Sequence, residues 1–192
     1  MRGHAPSLPS QRLTILGTNV ALQAPARVWG AMPRADARLR RVVDEHVGLV
    51  WRVLRRAGLS PADAEDASQD VFWVLAQRIE DVPERAQRSF LVSTALRVAS
   101  DRRRSKWNRS VSGGLDAEAR VSDAALPDEA LETLEASERA VFILADLEQM
   151  TRAEVAQALR IPEGTVASRL RQARTAFEAS VRRLRAQSRS ST

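Results

Sequence analysis

A dense group of hydrogen-bonding side chains stands near the C-terminus. Arg169, Arg171 and Arg174 recur within six residues, beside Ser168 and Gln172. Arginine and glutamine side chains form hydrogen bonds with the edges of guanine and adenine, and arginine also binds phosphate. The stretch therefore predicts a DNA-reading surface, although arginines on a lone helix can also be an ordinary solvated face.

A second group combines carboxylates with one large ring. Asp66, Gln69, Asp70 and Trp73 share the outer face of a predicted helix, and we call them the acidic-tryptophan face. An exposed tryptophan surrounded by charge is typical of a protein interface, and the acidic neighbours suit a basic helical partner. The alternative is that the N-terminal extension or a neighbouring helix covers Trp73.

A third group is basic. Arg97, Arg103, Arg104 and Trp107 point outward from the next predicted helix, and we call them the basic face. Positive charge can follow a nucleic-acid backbone while a ring stacks on an unpaired base. The alternative is that cations gather at a helix C-terminus because of the helix dipole, which explains only part of the cluster.

Catalytic and metal chemistry have few candidate residues. The chain has no cysteine, and its histidines are His4 and His46 alone. Thiolate chemistry is excluded, histidine-based sites are nearly excluded, and the paired carboxylates have no neighbouring nucleophile. We expect no enzymatic activity, no cofactor and no metal site.

The composition favours an all-α fold. The 192 residues include no tyrosine and only 8 glycines, and good helix formers prevail. Thirty Lys and Arg residues against 24 Asp and Glu give a net charge of +6, which favours nucleic acid or an anionic membrane as partner. No apolar run approaches the roughly 18 residues of a membrane span, so we expect a cytoplasmic protein.

Helical periodicity divides the chain into two small helical domains joined by a flexible linker. The first 34 residues contain four prolines and no sustained period, and either Met1 or Met32 is the translation start. Helices are predicted at 35–57, 61–79 and 89–107, and then at 128–134, 137–146, 152–159 and from 163. The domains are a disordered extension at 1–36, a first domain at 37–108, a linker at 109–127, a four-helix domain at 128–187 and a tail at 188–192.

The four-helix domain ends in a helix-turn-helix pattern. Thr151 and Glu154 can form a capping box at the start of one helix. Pro162 and Gly164 are expected to make the turn, after which a second helix enters the DNA major groove. The apolar stripe of that helix consists of Val166, Leu170, Ala173 and Phe177.

Three stretches resemble one known family. They read "AEDASQDVFWVL", "FLVSTALRVASDRRR" and "LEASERAVFILADLEQMTRAEVAQALRIPEGTVASRLRQAR". Together they are similar to the extracytoplasmic-function (ECF) sigma factors of the sigma-70 family, over roughly residues 37–185. The helix-turn-helix stretch is the most specific of the three.

The resemblance implies a bacterial RNA polymerase specificity subunit. Its implied partners are core polymerase, through the clamp helices of the largest subunit and the flap region, and promoter DNA; it also leaves an anti-sigma factor open as a partner. The acidic-tryptophan face would bind core polymerase. The implied −10 contacts are the basic face with Phe90 added. The implied −35 contacts, which we call the recognition face, are Thr165, Ser168, Arg169, Arg171, Gln172 and Arg174.

Several positions depart from the family pattern. Many members carry a Trp-Leu pair and then Ile-Ala-Arg-Asn, where this chain has Phe90 and Leu91 and then Thr94 to Arg97, without the asparagine that bears on the −10 base preference. Many members also carry a basic residue where this chain has Ala167. These differences bear on which bases are read and leave the family resemblance intact. The alternative function is a dimeric helix-turn-helix regulator that binds a palindromic site without polymerase.

Overall fold

The computed structural model describes residues 12–15, 18–21, 37–111 and 126–190, with side chains described for 37–105 and 128–189. The chain forms two compact units, residues 1–48 and 49–192. Among the residues described, no helix is both long and apolar enough to cross a membrane.

The first unit contains a β-hairpin. Strands β1 (Arg12–Ile15) and β2 (Thr18–Ala21) pair antiparallel, with Ile15 opposite Thr18. The prolines and the lack of a sustained period predict disorder for this stretch, and the hairpin differs from that prediction. β-branched residues in both strands and Gly17 between them favour a hairpin. The prediction of disorder gave more weight to the nearby prolines. Helix α1 (Ala37–Arg56) begins in this unit and continues into the second.

Two further helices follow α1 in the second unit. Helix α2 spans Pro61–Ala76 and helix α3 spans Glu84–Val111. The predicted start of α2 is confirmed, because the Ser60 hydroxyl oxygen accepts a hydrogen bond from the Asp63 amide at 3.1 Å. Helix α3 begins five residues before its predicted start, because its first turn is polar and lacks the apolar period on which the prediction relied.

Fully buried apolar side chains line these helices within the second unit. The buried face of α2 includes Phe72 and Leu75, and α3 contributes Leu91 and Val92. Burying a side chain of this size stabilises the fold by about 1.5–3 kcal/mol relative to leaving it in water. The packing of α2 on α3 therefore fixes which side of each helix remains outside.

The C-terminal helices are α4 (Leu126–Glu132), α5 (Ala136–Phe142), α6 (Arg152–Leu159) and α7 (Glu163–Ser190). A π-helical segment, Ile143–Leu147, directly follows α5, so the single helix predicted at 137–146 is α-helical only in its first part. The predicted linker overlaps the end of α3, and its residues 112–125 lie outside the described part. The predicted tail is helical through Ser190.

The turn between α6 and α7 differs from its prediction. Gly164 lies inside the first turn of α7, and the left-handed residue is Arg160, with φ 54°. Pro162 directly precedes α7, and its carbonyl accepts from the amides of Thr165 and Val166. The proline therefore begins the helix as expected, whereas the reversal itself is made by an arginine where glycine is usual.

Helix α7 packs against α4, α5 and α6. Val166, Leu170 and Ala173 are buried, as the periodicity predicts. The ring of Phe177 is half-buried and lies 4.7 Å, centroid to centroid, from the ring of Phe142. This anchoring leaves the opposite side of α7 facing solvent.

Candidate functional site

The acidic-tryptophan face lies on the outer side of α2. Asp66 and Asp70 are exposed, Gln69 is half-buried, and Trp73 keeps 43% of its surface in solvent. Among the residues described, Trp73 is the only exposed large apolar side chain. The four predicted residues therefore share one accessible surface, on which the ring of Trp73 stays exposed.

Arg102 also belongs to this surface, although it is not among the residues predicted from the sequence. Its Nη2 donates to Asp70 Oδ2 at 2.5 Å, and its Nη1 donates to the carbonyl of Asp63 at 3.4 Å. Arg102 lies on α3, 32 residues from Asp70, so only the packing of α2 on α3 brings the two together. The pair is solvent-exposed, and Asp70 therefore remains accessible to a partner that offers another cation.

The basic face divides into side chains with different surroundings. Arg97 and Arg104 are exposed on α3, and Phe90 is half-buried. Arg103 is exposed too, but its Nη1 donates to the carbonyl of Ala57 at 3.2 Å, at the end of α1. Arg103 thus satisfies a helix C-terminal carbonyl, which gives it a structural role beside any contact with DNA. The side chain of Trp107 lies outside the described residues.

A capping box begins the helix-turn-helix, as predicted. The Thr151 hydroxyl oxygen accepts from the Glu154 amide at 3.3 Å, and the Thr151 amide donates to Glu154 Oε2 at 2.7 Å. The hydrogen bonds from the Thr151 backbone and hydroxyl lower the pKa of Glu154, and the nearby charge of Arg88 lowers it further. The ionised glutamate is therefore part of the structure that orients α6.

The recognition face lies on the solvent side of α7. Arg171 and Gln172 are exposed, and Thr165, Ser168 and Arg169 are half-buried. The Ser168 hydroxyl donates to the carbonyl of Thr165 at 3.0 Å, which uses its hydrogen and leaves its oxygen able to accept. Arg171 and Gln172 thus present their side chains to solvent.

Arg174 has a partner that helical periodicity does not predict. Its Nε and Nη2 donate to the two carboxylate oxygens of Asp146, at 2.8 and 2.6 Å. The hydrogen bond and the charge of Asp146 raise the pKa of Arg174. The pair borders a concavity of about 550 Å³ on the α7 side of the domain, lined also by Arg171 and Leu170. Arg174 is therefore held at the edge of the recognition face by a bidentate ion pair.

No cluster of three or more metal-ligating side chains is present among the residues that the structure describes. What the described residues provide instead is exposed charged and aromatic surface on α2, α3 and α7.

Two family models match the chain. Sigma-70 region 2 matches residues 42–109, which include the acidic-tryptophan and basic faces, and sigma-70 region 4 matches residues 128–177, which include the recognition face. A relative from Mycobacterium tuberculosis (strain H37Rv), the ECF RNA polymerase sigma factor SigL, is 32% identical over 173 residues. That match covers 83% of this chain and 97% of the relative.

Solved structures share the fold. RpoE of Bartonella quintana, in complex with the anti-sigma factor NepR, matches with a TM-score of 0.63 and 17% identity over 74% of this chain and 96% of that one. CnrH in complex with the cytosolic domain of CnrY matches with a TM-score of 0.55 and 21% identity, over 81% and 93%.

The two matched regions follow one another in a single chain, as the sequence resemblance implies. A dimeric regulator would have a use for the helix-turn-helix and none for region 2, so the comparisons do not favour that alternative. The chain belongs to the ECF sigma factors of the sigma-70 family, and it is an RNA polymerase sigma factor.

Proposed function

We propose that the three faces divide the work of promoter recognition. The acidic-tryptophan face binds the clamp helices of core polymerase, the basic face contacts the −10 element, and the recognition face reads the −35 element. Core polymerase fixes the separation of the two DNA-binding parts and so raises their effective concentration on one promoter.

The exposure of Trp73 carries the polymerase part of this proposal. A tryptophan that leaves 43% of its surface in water forgoes hydrophobic stabilisation in the free protein. Tryptophans with a polar surround are enriched among the residues that contribute most to protein interfaces. Asp66 and Asp70 add negative charge beside the ring, and they complement a basic partner.

Run-off transcription with core polymerase tests the role of Trp73. Removing an interface anchor of this kind costs about 2 kcal/mol or more, so Trp73→Ala should weaken core binding by roughly 30-fold. The control is Arg78→Ala, because Arg78 is exposed just beyond α2 and outside the acidic-tryptophan face. Full transcription by Trp73→Ala at limiting protein concentration would refute the proposal that the acidic-tryptophan face binds core polymerase.

The recognition face is tested by base preference. Arg171 is exposed on α7, where its guanidinium can bind guanine bidentately. We expect Arg171→Ala to cost about 1–3 kcal/mol at the preferred −35 sequence and to relax selection at one position of a randomised element. Equal selectivity of the variant and the wild type would assign Arg171 to phosphate instead.

Two further expectations belong to the same proposal. We expect an anti-sigma factor as regulator, since the structures of RpoE and CnrH that match this chain are complexes with NepR and the cytosolic domain of CnrY. We also propose that the protein has no enzymatic activity of its own and acts in the cytoplasm. Co-purification from the source cells, with identification of bound proteins and DNA, tests these expectations together.

A further inference from the structure

The concavity beside α7 has an apolar lining that the recognition face does not include. It measures about 550 Å³, and its apolar side chains come from α7 and from the chain between α5 and α6. Met150 and Leu170 are buried, whereas Ala145 and Ala167 are half-buried. All four line the concavity, and we call them the apolar floor.

Charged side chains also line the concavity. Arg152, Arg171 and Arg174 are among them, with Asp146 and Glu178. Arg174 is engaged in its ion pair with Asp146, and Arg171 is exposed. Because Arg171 and Arg174 belong to the recognition face, that face and the apolar floor meet in one concavity.

Ala167 keeps the apolar floor accessible. It is the fifth residue of α7 and lies one helical turn before Arg171. A lysine or arginine at this position, the residue types that many family members carry there, would lay its aliphatic stem over the floor. Alanine adds only a methyl group, so apolar surface stays open beside the residue proposed to bind guanine.

The apolar floor matches one chemical group of the DNA major groove. Base edges in that groove present hydrogen-bond donors and acceptors, and thymine alone adds an apolar group, its C5 methyl. A phosphate is charged and would lose hydration against apolar surface, so it is unsuited to the floor. Contact between an alanine side chain and the thymine methyl is one of the ways in which proteins read bases directly.

We propose that Ala167 and the apolar floor select thymine in the −35 element by taking up its C5 methyl group. This inference rests on the proposed function and deepens it, since it names a base that α7 selects and a residue outside the recognition face that selects it. Ala167 and Arg171 are four residues apart, about 6 Å along the helix axis, and successive base pairs are about 3.4 Å apart. The selected thymine therefore lies within about two base pairs of the guanine that Arg171 binds.

Deoxyuridine tests the methyl contact directly, because it pairs with adenine as thymidine does and lacks only the methyl group. Holoenzyme assembled from core polymerase and the full chain first selects −35 elements from a promoter library in which that element is randomised. Each thymine of the selected element is then replaced singly by deoxyuridine, and the relative affinity of holoenzyme is measured by competition. We expect one replacement, within about two base pairs of a selected guanine, to weaken binding about 4-fold. Replacements elsewhere in the element should leave binding nearly unchanged.

Two lysine variants assign the effect to the apolar floor. In Ala167→Lys the new side chain covers the floor, so holoenzyme should bind the thymine and deoxyuridine promoters equally. Ala179→Lys is the matched control, because Ala179 is exposed on α7 outside the concavity and the substitution adds the same charge. It should keep the 4-fold ratio. Each ratio compares two DNAs with one protein, so a general gain in DNA affinity from the added charge cancels. If Ala167→Lys loses helical content by circular dichroism, the uncharged Ala167→Gln takes its place.

The outcomes separate this inference from the proposed function. Holoenzyme that selects a −35 sequence without thymine near the guanine, or that binds thymine and deoxyuridine equally, refutes the methyl contact alone. A ratio that persists when residue 167 is lysine or glutamine shows that another group reads the methyl, and it refutes the assignment to Ala167. Holoenzyme that selects no −35 sequence at all refutes the proposed function and this inference with it.

Discussion

Replacing Asp146 by asparagine should change how the protein binds DNA. Asp146 occupies the Nε and Nη2 of Arg174, which are donors that a phosphate would otherwise use. Asp146→Asn removes the charge that holds the guanidinium while keeping the size of the side chain. We expect Arg174 to become available to the DNA backbone at the edge of the recognition face.

The magnitude follows from counterion release. One additional phosphate contact makes the slope of log K against log salt more negative by about 0.9. Between 50 and 200 mM salt, the affinity of Asp146→Asn should therefore fall about 3-fold more than that of the wild type. Stability should change little, by about 0.2–1 kcal/mol, because the Arg174 side chain is more than half exposed.

Fluorescence anisotropy with a random-sequence duplex measures the slope, since the effect does not depend on base sequence. The control is Glu135→Gln, which raises the net charge by the same single unit at a site distant in sequence from Arg174. A steeper slope for Asp146→Asn alone supports a freed Arg174. Equal slopes for Asp146→Asn and the wild type would refute a freed Arg174. Equal changes of slope in Asp146→Asn and Glu135→Gln would also refute it, because net charge alone would then explain the change.

Three stability predictions follow from the packing and the capping box. Thr151→Ala should lower the free energy of unfolding by about 1 kcal/mol in urea titration, whereas Thr175→Ala, on the exposed side of α7, should change it by under about 0.5. Folding lowers the pKa of Glu154, so the ionised carboxylate stabilises the fold above its ordinary pKa of 4.5, and this stabilisation is lost as the pH falls through the pKa of the folded protein. The thermal unfolding temperature of Glu154→Gln should therefore depend less on pH below 4.5 than that of the wild type. Leu75→Ala, fully buried, should cost about 2–5 kcal/mol, and a smaller loss by calorimetry would contradict close packing there.

Most of the fold could be predicted because each helix carries local signals. Ser60 with Pro61, and Thr151 with Glu154, mark helix starts within three or four residues of sequence. The π-helical segment at Ile143–Leu147 could not be predicted in this way. Its wide turn is compatible with the same apolar pattern as an α-helix, and packing against α6 decides between them.

The exposure of the candidate site residues could be predicted from the sequence, whereas their hydrogen-bond partners could not. Trp73 and Arg171 lie on faces that helical periodicity alone orients correctly. Asp146 for Arg174, Arg102 for Asp70 and the carbonyl of Ala57 for Arg103 are 28, 32 and 46 residues away. Such pairings depend on which helices pack together, and helical periodicity shows only which face of each helix is buried.

The π-helical segment has a consequence for how this chain compares with its relatives. A π-turn is equivalent to one residue inserted into an α-helix, so the chain after it is one residue out of register with a continuous α-helix. Deleting one residue from Ile143–Leu147 would rotate the following chain by about 100°, which would turn Glu148 away from its ion-pair partners on α1, Arg52 and Arg56. A single insertion or deletion in evolution could thus create or abolish these ion pairs while the recognition helix stays intact.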